Sequence, residues 1–142
     1  MKVKEIMTKD IISVTPQTPL KELANIIKEK RIHGVPVLNE DGVLVGVVTL
    51  TDMLKILQRI AYWSEIEKAK PELGIKEALV KEKEDASVGA NMTTLVRTVK
   101  EDDDIEKALT LMCKHNVHTI PVLKDGKLAG IVGASDIVKI FV

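Results

Sequence analysis

The stretch HGVPVLNEDGVLVGVVTLTD, His33 to Asp52, holds a complete piece of supersecondary structure. A short apolar run containing a proline leads into an Asp-Gly pair, and a second apolar run follows. The segment ends in Thr49-Leu50-Thr51-Asp52, at the start of an amphipathic stretch. Asp-Gly between apolar runs is a strong hairpin signal. The same text returns as HTIPVLKDGKLAGIVGASD, His118 to Asp136, one residue shorter. The loss falls where Asn39-Glu40-Asp41-Gly42 becomes Lys124-Asp125-Gly126, a turn in which length changes cost little.

Outward from this segment the similarity continues. Residues 3–38 align without a gap with 88–123, and 42–57 align with 126–141. Identical pairs include Met7/Met92, Thr8/Thr93, His33/His118, Pro36/Pro121, Gly46/Gly130 and Asp52/Asp136. An ungapped match of that length is a duplication. The apolar faces repeat too: Leu20, Leu23, Ala24 and Ile27 have helical spacing, as do Ile105, Ala108, Leu109 and Met112. Thr18-Pro19 supplies an N-cap and first-turn proline for the first helix. Glu101-Asp102-Asp103-Asp104 takes that place in the second copy. Negative charge there complements the helix dipole, which is a simpler account of the run than a metal site. Opening strands are expected around Ile11–Val14 and Leu95–Val99. Pro36 and Pro121 lack a donor, which argues for an edge or strand-start position. Each unit is therefore β-α-β-β-α and the fold class α+β: tandem units in one pseudo-two-fold module. The organisation is unit 1 at 1–58, a helical and charged insert at 59–87, and unit 2 at 88–142. A unit of this size would struggle to bury both helices and the sheet face alone, so the pair is the domain. In the insert, Pro71 and Gly74 divide an expected helical extension from a second short helix or loop, and Tyr62-Trp63 are expected to pack on the helix, the alternative being a cleft or partner surface.

Composition narrows the function. Lys+Arg and Asp+Glu both number 21 and charge is 30%, so no global basic field exists to hold phosphate backbones. Tyr62, Trp63 and Phe141 are the only aromatics, leaving no base-stacking platform. Nucleic acid is not an expected partner. No run approaches the ~18 apolar residues that span a bilayer, so no membrane span is expected. MKVKEIMTKD lacks the apolar run of a signal peptide, and the single Cys113 fits a reducing compartment. The expected setting is the cytoplasm, with Cys113 a buried, inert thiol.

Thr49-Leu50-Thr51-Asp52 fits a capping box, Thr49 at the N-cap and Asp52 at the third helical position. Gly133 removes that hydroxyl from the second copy while Ser135 and Asp136 remain. The same geometry suits a ligand. A strand running into a helix start presents free amides to phosphate, and a carboxylate there can accept both hydroxyls of a ribose. Cap and ligand seat are both open at this point.

Taken together, HGVPVLNEDGVLVGVVTLTDMLKIL and HTIPVLKDGKLAGIVGASDIVKIF, each with its preceding strand and helix, resemble the CBS (cystathionine-beta-synthase) domain, which occurs in tandem pairs. The resemblance covers nearly everything except the insert. It implies a pseudo-symmetric CBS-pair (Bateman-type) module that dimerises into a flat disc and binds adenosyl ligands in clefts between the units. By that resemblance, site one would combine Thr49, Thr51 and Asp52 with Val96, Arg97, His118, Thr119, Ile120 and Pro121. Site two would combine Ser135 and Asp136 with Ile12, His33, Gly34, Val35 and Pro36. The aspartates would take ribose, the hydroxyls ribose or phosphate, and the apolar members would sandwich adenine. Arg97 could clamp phosphate or be an ordinary surface residue, and its repeat partner is the apolar Ile12. Site one would then suit a phosphorylated ligand and site two a nucleoside or a poorly phosphorylated one. His33 and His118 have no further ligands at useful spacing and are local or cleft-lining rather than metal-binding.

The implied function is a regulatory module sensing AMP, ADP, ATP or S-adenosylmethionine, with no required cofactor, acting as a homodimer on an unidentified effector protein. The alternative is a ligand-free dimerisation scaffold whose turns are only caps. An enzyme is not expected, because no paired base and nucleophile, Cys-x-x-Cys or P-loop appears.

Overall fold

The computed structural model describes residues 1–67 and 86–142. In the first unit, helix α1 (Leu20–Lys30) buries Leu23 and Ile27, the face that the helical spacing marks out. Strands β1 (Gly34–Leu38) and β2 (Leu44–Thr49) form an antiparallel hairpin, and helix α2 (Leu50–Glu67) follows directly. The second unit opens with a short helix, α3 (Val88–Asn91), then β3 (Val99–Lys100), α4 (Ile105–His115), β4 (Thr119–Lys124), β5 (Lys127–Gly133) and α5 (Ala134–Val138). β4 is central, parallel to β3 and antiparallel to β5. The proposed break and second helix of the insert, at 68–85, lie outside the described residues. Among the described residues no helix is long and apolar enough to cross a membrane.

Both hairpins turn at the Asp-Gly pair. Asp125 and Gly126 both have positive φ, 52° and 77°, as a two-residue type I′ turn requires. The first copy spends its extra residue on a wider loop closed by the Asn39 side chain, whose Oδ1 accepts from the Asp41 and Val43 amides at 2.9 Å each.

Several sequence expectations change. Thr18 does not cap α1; Pro19 holds the cap position, and Thr18 Oγ1 instead accepts from the Thr15 amide at 3.0 Å. Asp103, its repeat partner, does the same for the Lys100 amide at 2.7 Å. The opening strands shrink to β3 in unit 2 and to one parallel bridge, Val14 to Val37, in unit 1. Cys113 is exposed, because it falls on the side of α4 away from Ile105 and Ala108. Neither proline starts its strand, and Pro121 is not on an edge: Pro36 sits inside β1, one of two strands in its sheet, and Pro121 inside the central β4, opposite Val47 and Ile131 respectively. Those partners exchange both of their backbone hydrogen bonds with Thr93 and Thr8 on their other side, at 2.8–3.0 Å. Each proline thus occupies a non-hydrogen-bonded pair, where a missing donor costs no ladder bond.

These bridges belong to an exchange that organises the whole molecule. Val3 is fully buried in the second unit's core, with Val99, Ala108, Ile120, Val122 and Val132. Val88, its repeat partner, is fully buried in the first unit's core, with Val14, Leu23, Ile27, Val35, Val37 and Val48. The backbone exchange is duplicated: the Val3 amide donates to Asp103 O and the Val88 amide to Thr18 O, both at 2.9 Å. Each unit's leading arm, residues 1–8 and 86–93, therefore packs on the opposite unit. Glycine makes the approach possible, since a Cβ at Gly46 would lie 2.6 Å from Met92 Sδ and 3.0 Å from Thr93 O. At Gly130 it would lie 2.8 Å from Met7 Sδ and 2.9 Å from Thr8 O.

Substituting Gly46→Ala or Gly130→Ala should destabilise the fold by about 1–3 kcal/mol, the cost of overpacking. Gly46→Ala with Met92→Ala should not restore stability fully, because the Thr93 carbonyl remains too close. Urea denaturation of the three variants measures this.

Candidate functional site

The start of α2 is built as a full capping box. The Thr49 amide donates to Asp52 Oδ2 at 2.9 Å, and the Asp52 amide donates to Thr49 Oγ1 at 3.2 Å. The Thr49 hydroxyl also donates to Asp52 Oδ2 at 3.1 Å. In the second copy half of the box survives, with the Gly133 amide donating to Asp136 Oδ2 at 2.8 Å. Gly133 takes the N-cap, so Ser135 does not cap the helix and its side chain is exposed. Cap and cleft are compatible, because the second carboxylate oxygen of each aspartate is outside the box.

Two clefts lie between the units. The larger, about 490 Å³, is lined by Thr49, Thr51 and Asp52 from unit 1 and by Val96, Arg97, His118 and Thr119 from unit 2. The smaller, about 140 Å³, is lined by Ser135 and Asp136 from unit 2 and by Ile12, His33, Gly34 and Pro36 from unit 1. The expected cross-unit groupings are thus brought together, with three exceptions. Val35, Ile120 and Pro121 are fully buried and line neither cleft. Side chains alternate along a strand, so Gly34 and Thr119 face the clefts while Val35 and Ile120 face the cores. Val35 and Ile120 thus present no side chain to either cleft.

Other cleft residues escape the sequence reading. Lys55, Thr93, His115 and Asn116 line the larger cleft, and Thr8, Asp10 and Arg31 the smaller. Arg31 and Asn116 are repeat partners with φ of 53° and 51°, both ending their helices in the left-handed conformation. His33, His118 and Thr119 line both clefts, which therefore share a wall.

The clefts differ in charge. The larger carries Lys55 and Arg97 beside the single carboxylate of Asp52. His115 on the same wall is held below the usual imidazole value, first by loss of solvent and then by Arg97 and Lys114. In the smaller cleft Ile12 replaces Arg97, and Arg31 shares the lining with the carboxylates of Asp10 and Asp136. Lys139, the repeat partner of Lys55, is drawn to Asp136 Oδ1 at 3.6 Å. The acidic run 101–104 meets lysines: Lys2 to Asp104 at 2.9 Å, Lys4 to Asp102 at 2.8 Å and Lys107 to Asp103 at 3.0 Å. These pairs hold Lys2 and Lys4 above, and Asp102 and Asp104 below, their ordinary values.

Two α-β-β-α repeats, the second with a short opening strand, with crossed arms and paired inter-unit clefts define a tandem module. The family model of the CBS domain matches residues 3–59 and 85–142, and the chain belongs to that family. It is 33% identical over 154 residues to the uncharacterized protein MJ1426 of Methanocaldococcus jannaschii, covering 98% of this chain and 90% of that one. Its fold matches the CBS domain pair of protein MJ0100, in complex with 5′-methylthioadenosine and S-adenosyl-L-methionine. That match has a TM-score of 0.73 and 27% identity, over 99% of this chain and 95% of the other. CBSX2 in complex with AMP matches with a TM-score of 0.74 at 27% identity, over the same shares.

Asp136 is 5% exposed and accepts from Gly133 N and Thr8 Oγ1. Asp136→Ala strands both donors and should cost about 1–3 kcal/mol. Asp136→Asn, which keeps an acceptor for the amide, should cost less. Thermal and urea unfolding of the two variants provide the comparison.

Proposed function

We propose that the larger cleft binds an adenosine nucleotide and that the chain is a regulatory module reporting its occupancy to a partner protein. The carrying observation is one inter-unit cleft lined by Asp52, its threonine turn and Lys55 from unit 1 and by Arg97 from unit 2. The volume falls within the roughly 300–1,000 Å³ of small-molecule sites. Asp52 would accept ribose hydroxyls, Thr51 and the start of α2 would contribute donors, and Arg97 would pair with phosphate. The adenosyl ligands of the MJ0100 domain pair and of CBSX2 support this class of ligand. The smaller cleft, with fewer cations and less room, suits a nucleoside without phosphate and must open to admit one. Because each cleft has walls from both units, occupancy would shift their relative arrangement and give a partner something to read.

A second reading, the ligand-free dimerisation scaffold, draws on exposed apolar residues in matching positions of the two units. Leu54 on α2 is 65% exposed and its repeat partner Val138 on α5 is 60% exposed. We place a homodimer contact on these helices. Native mass spectrometry checks it, with Leu54→Glu and Val138→Glu expected to yield monomer.

Calorimetry with AMP, ATP, adenosine and S-adenosylmethionine tests the ligand reading; no binding by any of them leaves only the scaffold. Arg97→Ala should weaken AMP roughly ten- to a hundredfold, the loss of a charge-assisted contact, and leave adenosine unchanged. Phosphate beside Arg97 should also offset the positive field on His115. Its NMR titration midpoint, low in the free protein, should rise when AMP is added and stay put with adenosine.

A further inference from the structure

The two aspartates divide their oxygens in the same way. In each, Oδ2 belongs to the helix start, accepting from Thr49 or Gly133. Oδ1 accepts instead from a threonine on the other unit's arm. Thr93 Oγ1 donates to Asp52 Oδ1 at 3.1 Å, and Thr8 Oγ1 donates to Asp136 Oδ1 at 3.1 Å. Thr8 and Thr93 are identical by repeat, and each lines the cleft of the aspartate it touches. Each hydroxyl is presented from a fixed backbone position, because its main chain is clamped to the opposing strand. The Thr93 amide and carbonyl both bond Val47 at 2.9 Å, and those of Thr8 bond Ile131 at 2.8 and 3.0 Å. The Met92–Gly46 and Met7–Gly130 contacts fix the arms along those strands.

From this we infer that Thr93 and Thr8 are positioning residues that set ribose specificity, each orienting the carboxylate of the opposite unit. The inference rests on the adenosyl reading of the clefts. A carboxylate carries about four lone-pair sites. The cap fixes one oxygen and the arm hydroxyl occupies one side of the other. The remaining lone pair of Oδ1 is left in a single orientation; among the described residues it is free in Asp52 and shared with the Lys139 ammonium at 3.6 Å in Asp136. Without the arm hydroxyl the carboxylate would be held through Oδ2 alone and could rock about that anchor, and a ribose hydroxyl would lose a fixed acceptor. A site built around a hydroxyl rejects the analogue that lacks it, so the arm should matter most for telling ribose from deoxyribose. Sequence similarity alone hides this role, since the threonine stands far from the aspartate and in the other unit.

The test is calorimetry on the full chain with AMP and 2′-deoxy-AMP, for wild type and for Thr93→Val and Thr93→Ser, with melting temperatures alongside. Thr93→Val should weaken AMP on the order of tenfold while leaving 2′-deoxy-AMP nearly unchanged, so that discrimination collapses. Thr93→Ser, which restores the hydroxyl, should recover both affinity and discrimination. Thr94→Val, which removes an exposed hydroxyl one residue further on, should change neither. A purely structural role predicts a lower melting temperature and equal weakening of both nucleotides, and that result overturns the inference. So does an AMP affinity that is unchanged or tighter in Thr93→Val. If wild type binds neither nucleotide nor any other adenosyl compound, it is the ligand reading that fails.

Discussion

Val3 fills the core of the second unit and Val88 that of the first, so neither apolar core closes without the other half of the chain. A buried valine stabilises by about 1.5–3 kcal/mol. The larger consequence is geometric. The arm that delivers the valine continues along the opposing hairpin, where its backbone completes Val47 or Ile131 and its methionine lies over a glycine. The prolines of β1 and β4 are tolerated because the residues opposite them spend their hydrogen bonds on this arm. The clefts follow as well, since a crossed arm brings each aspartate turn against a wall of the other unit.

The two arms are fastened by different chemistry on the same plan. The first carries Lys2 and Lys4, which pair with Asp104 and Asp102 on exposed ground. Such pairs weaken as salt screens them. The second arm has Ser87 and Gly89 at those positions. Ser87 caps α3, and a Cβ at Gly89 would lie 2.9 Å from Pro16, so that arm relies on close backbone contact. The acidic run thus serves the opposite unit as well as its own helix dipole.

Much of this was legible because it is local. Helical spacing located Leu23, Ile27 and Ala108, the Asp-Gly pairs located both hairpins, and the Thr49–Asp52 spacing located the box. The arm exchange was not, for a physical reason: a perfect duplication reads the same whether each arm folds on its own unit or crosses to the other. Val3 and Val88, like Thr8 and Thr93, were visible as matched pairs without a stated partner. The edge assignment of Pro121 went astray because a missing donor matters only at hydrogen-bonded pairs, and sequence does not give the phase of the ladder. Strand alternation also decides that Thr119 and Gly34 face the clefts, while the family pattern carried Ile120 and Val35 along with them. Lys55 and Arg31 join the clefts through helix geometry that no short motif encodes.

The crossed arms make each half of the chain complementary to a copy of itself. A segment carrying one arm and one core offers the plug that its own core lacks, yet its arm points away. Two such halves could satisfy each other only through a two-fold, isologous embrace, the geometry of a symmetric dimer. Joining them in one chain replaces a concentration-dependent association with an intramolecular one. It also frees the two copies to diverge, so that Arg97 can stand where the other half keeps Ile12.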